Sequence, residues 1–345
     1  MKIGLALAGG GVKGAYQIGS YYAFKRCHIK FNGIVGTSIG AANGAVIASG
    51  HEKELLDMWK NLNPGELLEL DSNLISEYND NNKSKKLLAT LKITKKAIKD
   101  HGFTTLNIKK LVTELVDINK ILTSSQDFGL ATYNFSKRKS IYIYKENMSK
   151  DNLVDYIIAS CSLPVFKLDK VIDDSYYLDG GFHDNCPTNM LIRKHYDVVY
   201  EVKINGIGVD RKHISGPTKV ITIIPSRDTG SIFEMNHDKI VDNINMGYFD
   251  TLKYLNKLLG YKYNFHKTIF FNYNHAVKNI DKFTLKRIYS FFNCNDNKTA
   301  IIKSLEYIME KENYEYNNVY RIKQIIKTIP NNNHFIYMFI KGLSI

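Results

Sequence analysis

The sequence predicts a three-layer α/β sandwich around a largely parallel central sheet, followed by a mostly helical C-terminal extension. Three observations carry this. A strand, a glycine-rich turn and a helix follow one another twice within fifty residues, which is how a parallel α/β sheet begins. Further strand-like runs return downstream, at 127–134, 139–145, 197–204 and 219–225. From about residue 235 the pattern changes to helical segments.

The elements follow in order. Residues 2–8 (KIGLALA) are short and apolar and stop at glycines, as a buried strand does. Residues 15–28 then read as a helix, 31–36 (FNGIVG) as a second strand, and 39–50 (IGAANGAVIASG) as a helix rich in small residues. The stretch 77–86 (EYNDNNKSKK) is a polar, turn-rich break. After it, seven lysines fall within 83–99 with no acidic residue before Asp100. Leu87, Leu88, Leu91 and Ile98 fit one helical face, so this segment reads as a basic amphipathic helix. Such a helix is either a solvated lysine face or a cap or membrane-touching element. Toward the C-terminus, 237–258, 281–293, 298–312 and 317–328 read as helices separated by NDN and PNNN breaks. The run 334–341 is too short for periodicity to decide between strand and helix. The expected organisation is a catalytic domain over 1–235, with a basic helical insert at about 77–100, and a helical region over 236–345.

Composition narrows the function classes. The 345 residues are 44% apolar, enough for a sizeable core, and the net charge is +13. A basic surface favours anionic partners, but no nucleic-acid recognition motif accompanies it, so an acidic lipid surface is the expected partner. Cys27, Cys161, Cys186 and Cys294 are widely spaced and form no C-x-x-C pair. That excludes a zinc-type cysteine cluster and a disulfide framework, and it suits a reducing compartment. No run of about 18 apolar residues is present to span a bilayer. The expectation is a cytoplasmic protein, peripheral at a membrane if it meets one, needing neither metal nor cofactor.

The loop Gly9-Gly10-Gly11-Val12-Lys13-Gly14 fits G-x-G-x-x-G between a strand and a helix, the dinucleotide-binding fingerprint. That fingerprint needs an acidic residue about 20 positions on to hold a ribose. None occurs between Met1 and Glu52. A P-loop fails as well, because Lys13 precedes its glycine. A non-catalytic module that holds lipid or nucleotide through the G-x-G-x-x-G loop is therefore the weaker alternative. In place of the acidic residue stands Gly36-Thr37-Ser38-Ile39-Gly40, the G-x-S-x-G nucleophile elbow. Gly36 and Gly40 leave room around Ser38 at a sharp turn. A serine nucleophile needs an oxyanion hole and a base. Consecutive N–H groups of Gly9, Gly10, Gly11, Val12, Lys13 and Gly14 at a helix start supply the first. Two sets compete for the second. One is an acid plus one of ten histidines, among which only His183 stands in a distinctive context. The other is Asp179 in the loop YYLDGGFHDNCP, 176–187, followed by Gly180 and Gly181.

G-G-G-x-K-G at 9–14, G-T-S-I-G at 36–40 and D-G-G at 179–181, in that order, resemble the patatin-like phospholipase family. ASCSLPVFK at 159–167, Asn185 and Pro187 extend the likeness, which covers about residues 1–205. The resemblance implies a Ser–Asp dyad without histidine: Ser38 as nucleophile, Asp179 taking its proton, the glycine loop as oxyanion hole, and Lys13 favouring an anion at that end. It implies hydrolysis of phospholipid or related fatty acyl esters through an acyl-Ser38 intermediate. On this reading His183 is a turn histidine and Asp184 a loop carboxylate.

Overall fold

The computed structural model describes residues 1–67, 72–79, 88, 92, 105–164, 166, 170–267 and 271–344. They form two compact units, Met1–Tyr248 and Phe249–Ile345.

In the first unit, β1 (Ile3–Leu7) pairs in parallel with β2 (Gly33–Thr37) on one side and β7 (Val198–Val202) on the other. β2 pairs in parallel with β3 (Asp127–Asn134), and β7 with β8 (Lys219–Ile223). β4 (Lys139–Tyr144) and β6 (Ser175–Asp179) run antiparallel to β3, and β5 (Lys170–Ile172) closes the edge beyond β6. Helices cover both faces. Along β1 the side chains alternate between faces. A Cβ on Gly4 would point at Leu191 in the helix Thr188–Arg193. Leu7, on the opposite face, approaches Gly44 of α2 (Ile39–Ala48). These are the three layers expected.

The β3 register brings two distant parts of the chain together. β4 takes one edge of β3 from Gly129 to Asn134. On the other edge β2 pairs with residues 127–131, ending at Thr37 opposite Ala131. β6 takes over that edge at Thr132, where Asp179 sits opposite. A strand has only two hydrogen-bonding edges, so β2 and β6 end facing one another. Ser38 follows the first and Asp179 closes the second.

Expected elements shift by a few residues. The helix expected at 15–28 is α1, Ala15–Arg26, and a single 3-10 turn, Gly11–Gly14, leads into it. The helix at 39–50 stops at Ala48, before Gly50 with its φ of +73°. The helices Glu52–Asn61, Leu106–Leu115 and Leu153–Ser160 were not expected. The lysine-rich segment lies outside the described residues except for Leu88 and Lys92, whose ammonium pairs with Glu77 at 2.6 Å.

The helix His237–Tyr254 carries the boundary between the units. Its middle crosses α1 so closely that a Cβ on Gly247 would lie 2.0 Å from the Tyr16 carbonyl oxygen. In the second unit, helices Lys282–Phe292, Asn297–Lys311, Ile322–Thr328 and Phe335–Lys341 surround Phe265, Ile301, Leu305, Ile336 and Ile340, all buried. The undecided run at 334–341 is thus a helix. The stretch 317–328 resolves into a two-residue strand, Val319–Tyr320, and a short helix. Asp296, in the NDN break, caps its helix by accepting from the Thr299 N–H at 2.9 Å. Buried Glu306 accepts from the N–H groups of Tyr261, Lys262 and Tyr263 at 2.6, 3.0 and 3.0 Å, tying down the turn before a short strand.

Candidate active site

Ser38 stands between β2 and α2 with φ 56° and ψ −130°. A side-chain-bearing residue held there stores roughly 1–3 kcal/mol of backbone strain. The flanking glycines permit the turn. A Cβ on Gly36 would lie 2.3 Å from the Gly40 carbonyl carbon, and one on Gly40 would lie 2.2 Å from the Leu7 carbonyl oxygen. Ser160, the last residue of the helix Leu153–Ser160, secures the turn from behind. Its buried Oγ accepts from the Ser38 N–H at 2.8 Å and donates to the Ala131 carbonyl at 2.7 Å. Thr37 Oγ1 donates to the Asp184 carbonyl at 2.8 Å.

Asp179 is 2% exposed. Burial raises its carboxyl from 3.8 to about 6, while the Ser38 hydroxyl and the Gly181 N–H pull in the other direction. Oδ1 accepts from the Gly181 N–H at 2.8 Å. Oδ2 is buried and takes no full hydrogen bond, so the Ser38 contact stops short of one. Contacts of this kind commonly tighten only when substrate is bound.

The glycine loop divides in two. The Gly9 N–H donates to the Asn185 carbonyl at 2.9 Å, and the Val12 N–H to the Ile232 carbonyl at 3.0 Å. The Lys13 ammonium donates to the Asn205 carbonyl at 2.9 Å, and burial lowers its pKa. Among the described residues the amides of Gly10 and Gly11 have no such acceptor. Both residues line the cavity, as Gly9 does, whereas Val12, Lys13 and Gly14 are not in its walls. Gly14 instead faces α2, where a Cβ would lie 2.5 Å from Ile39 Cγ1.

The cavity has a volume of about 510 Å³ and holds Ser38, Asp179, Gly181 and Asn185 on its floor. Leu163, Pro164, Phe182, Ile207, Val209, Ile232 and Phe233 make its upper walls apolar. Among the described residues no histidine lines it. His183 is turned to Arg211, whose guanidinium meets its Nδ1 at 2.6 Å, and burial and that charge lower its pKa. Asp184 is not among the residues that line the cavity. Its Oδ2 accepts from the Tyr142 hydroxyl at 2.9 Å, and burial raises its carboxyl to about 6. Among the described residues no cluster of three His, Cys, Asp or Glu side chains is placed to hold a metal ion.

Ser160 and Asn185 lay inside stretches singled out in the sequence, but neither had a role there. The helix Leu153–Ser160 ends in small residues at a tight crossing, a signal too general to name a single serine. Chemically, the site offers a hydroxyl on a strained turn, a buried carboxyl beside it and two free amides across an apolar pocket.

Fold and site together define an α/β protein whose candidate nucleophile stands on a strand-to-helix elbow. The model of the family described as patatin-like phospholipase matches residues 5–192, more than half of the chain, and the chain belongs to that family. Membership makes it a lipid hydrolase by class. Among solved structures it is similar to VipD from Legionella pneumophila, with 14% identity and a TM-score of 0.47 over 95% of this chain and 79% of that one. It is also similar to the type III effector protein ExoU, with 12% identity and a TM-score of 0.36 over 99% of this chain and 74% of that one. No curated protein matches the chain. Among the described residues no helix is long and apolar enough to cross a membrane.

Proposed function

We propose that this protein is a serine acyl hydrolase of phospholipids or lysophospholipids, working through a Ser38–Asp179 dyad. The observation that carries the proposal is a carboxyl held at about 6 by burial, in one cavity with a serine on a strained elbow. A carboxylate of that basicity can accept a proton at neutral pH, and among the described residues no histidine lines the cavity to do so.

The Ser38 hydroxyl passes its proton to Asp179 as Oγ attacks the ester carbonyl. The oxyanion that forms is held by the N–H groups of Gly10 and Gly11, which narrows the expected six-residue hole to two donors. Collapse expels the alcohol, which takes the proton from Asp179, and leaves acyl-Ser38. Water then attacks the acyl carbon and gives its proton to Asp179. Ser38 leaves with that proton, and the fatty acid is released. Lys13 acts as a brace to Asn205 and not as an anion ligand.

The apolar upper walls suit an acyl chain. Phe182 and Ile207, 52% and 78% exposed at the mouth, and the net charge of +13 favour work on an anionic lipid surface. Four free cysteines suit a reducing, cytoplasmic setting.

A fluorophosphonate probe should label the wild type and leave Ser38→Ala unlabelled. Asp179→Asn should lose about 10²-fold or more in ester hydrolysis, while His183→Ala stays within a few-fold of wild type. Equal labelling of wild type and Ser38→Ala contradicts the nucleophile, and the reverse order of the other two contradicts the base.

A further inference from the structure

The cavity floor holds a polar atom that the dyad does not use. Asn185 is 6% exposed and lines the cavity. Its backbone is fully engaged: the carbonyl accepts from the Gly9 N–H at 2.9 Å, and its own N–H donates to the Val209 carbonyl at 2.8 Å. The side-chain Nδ2 donates to the Gly9 carbonyl at 3.4 Å. The side-chain oxygen, Oδ1, is buried and has no partner. Exchanging the two ends of the amide would set Oδ1 against the Gly9 carbonyl, two acceptors face to face, which favours the orientation described.

Two glycines locate that oxygen. A Cβ on Gly9 would lie 2.7 Å from Oδ1 and 3.1 Å from Ser38 Cβ. A Cβ on Gly181 would lie 3.1 Å from Oδ1 and 3.0 Å from Asp179 Oδ1. The Asn185 oxygen and Ser38 Cβ thus both border the space beside Gly9, and the Asn185 and Asp179 oxygens both border the space beside Gly181. Leaving a buried acceptor unmade costs roughly 1–3 kcal/mol. Asp179 Oδ2, also buried and unpartnered, lies in the same site.

We infer that Asn185 Oδ1 holds the water that hydrolyses the acyl-enzyme. This rests on the dyad proposed above. The water donates one O–H to Asn185 Oδ1 and the other to the Asp179 carboxylate. Its lone pair is then free to attack the acyl carbon, and the proton held by Asp179 moves on to Ser38 as it leaves. Acylation needs no water and should not need this oxygen, so Asn185 separates the two half-reactions.

The test uses Asn185→Ala with wild type and Ser38→Ala as references. Labelling by the fluorophosphonate, which stops at the first half-reaction, should stay within about threefold of wild type. Steady-state hydrolysis of a p-nitrophenyl ester should fall about 10²-fold, the scale of a misplaced reactant. Intact mass should show acyl groups accumulating on Ser38. Hydroxylamine, a stronger nucleophile that does not depend on a held water, should restore turnover in the variant far more than it raises wild type. Labelling that falls in step with hydrolysis, or hydrolysis unaffected, overturns the assignment. So does a folded variant that labels normally but accumulates no acyl-enzyme, or one that hydroxylamine does not rescue. Absence of labelling in wild type itself would instead sink the dyad on which the inference rests.

Discussion

Asp179 is where stability and activity oppose each other. Its folded-state carboxyl lies at about 6, above the ordinary value of 3.8. The folded protein therefore binds its proton more tightly than the unfolded chain does. Stability from this group is present below about pH 4 and is lost as pH rises toward 6. At neutral pH the buried charge costs about 3 kcal/mol, taking 1.4 kcal/mol per pH unit. Asp179→Asn should accordingly raise the thermal midpoint at pH 7.5 and leave it nearly unchanged at pH 4, while activity is lost. Activity has the opposite slope: kcat/KM should rise through about pH 6 to a plateau, because only the carboxylate can accept the Ser38 proton. Asp184 titrates in the same range. The stability measurement is therefore a difference between variant and wild type at each pH. An Asp179→Asn protein less stable than wild type at pH 7.5 contradicts the buried-charge account.

At the scale of elements, the site depends on how strand ends meet. Ser160 joins the end of one helix to the first turn of another by bonding the Ser38 N–H and the Ala131 carbonyl. Ser160→Ala leaves both groups buried and unpaired, at roughly 1–3 kcal/mol each. It should lower kcat about tenfold or more with KM little changed, because the strained turn at Ser38 relaxes. A rise in KM with kcat intact would show that Ser160 shapes the pocket and not the nucleophile. Much of this level was legible in advance. The glycine loop, the elbow at Ser38 and the D-G-G turn at Asp179 each announce themselves through residues that only a tight turn requires. Strands at 127–134 and 219–223 follow from their β-branched and apolar runs. Long-range pairing was not legible. Nothing in the sequence says that β2 and β6 share one edge of β3, or that the carbonyls of Asn185 and Ile232 take the Gly9 and Val12 amides. Those facts belong to register and loop closure, which no local pattern encodes. The helix Leu153–Ser160 escaped because its short apolar run has no flanking polar face.

At the scale of the whole molecule, the candidate site occupies the first unit, Met1–Tyr248, and the second has a core of its own. The open end of the cavity presents Phe182 and Ile207 to solvent. Apolar side chains of this size gain about 1.5–3 kcal/mol each when buried. The double substitution Phe182→Ser and Ile207→Ser should therefore weaken co-sedimentation with phosphatidylglycerol vesicles at least tenfold. Unchanged binding would place the lipid contact elsewhere, with the lysine-rich segment at 83–99 the next surface to test. The central claim is that Ser38 and Asp179 together cleave acyl esters of lipids. Its most direct test is release of free fatty acid from mixed phospholipid vesicles, measured by mass spectrometry for wild type, Ser38→Ala and Asp179→Asn. The account predicts fatty acid and lysophospholipid from wild type only. Equal release by wild type and Ser38→Ala, or none by untreated wild type whose Ser38 takes up the fluorophosphonate in a parallel sample, would contradict it.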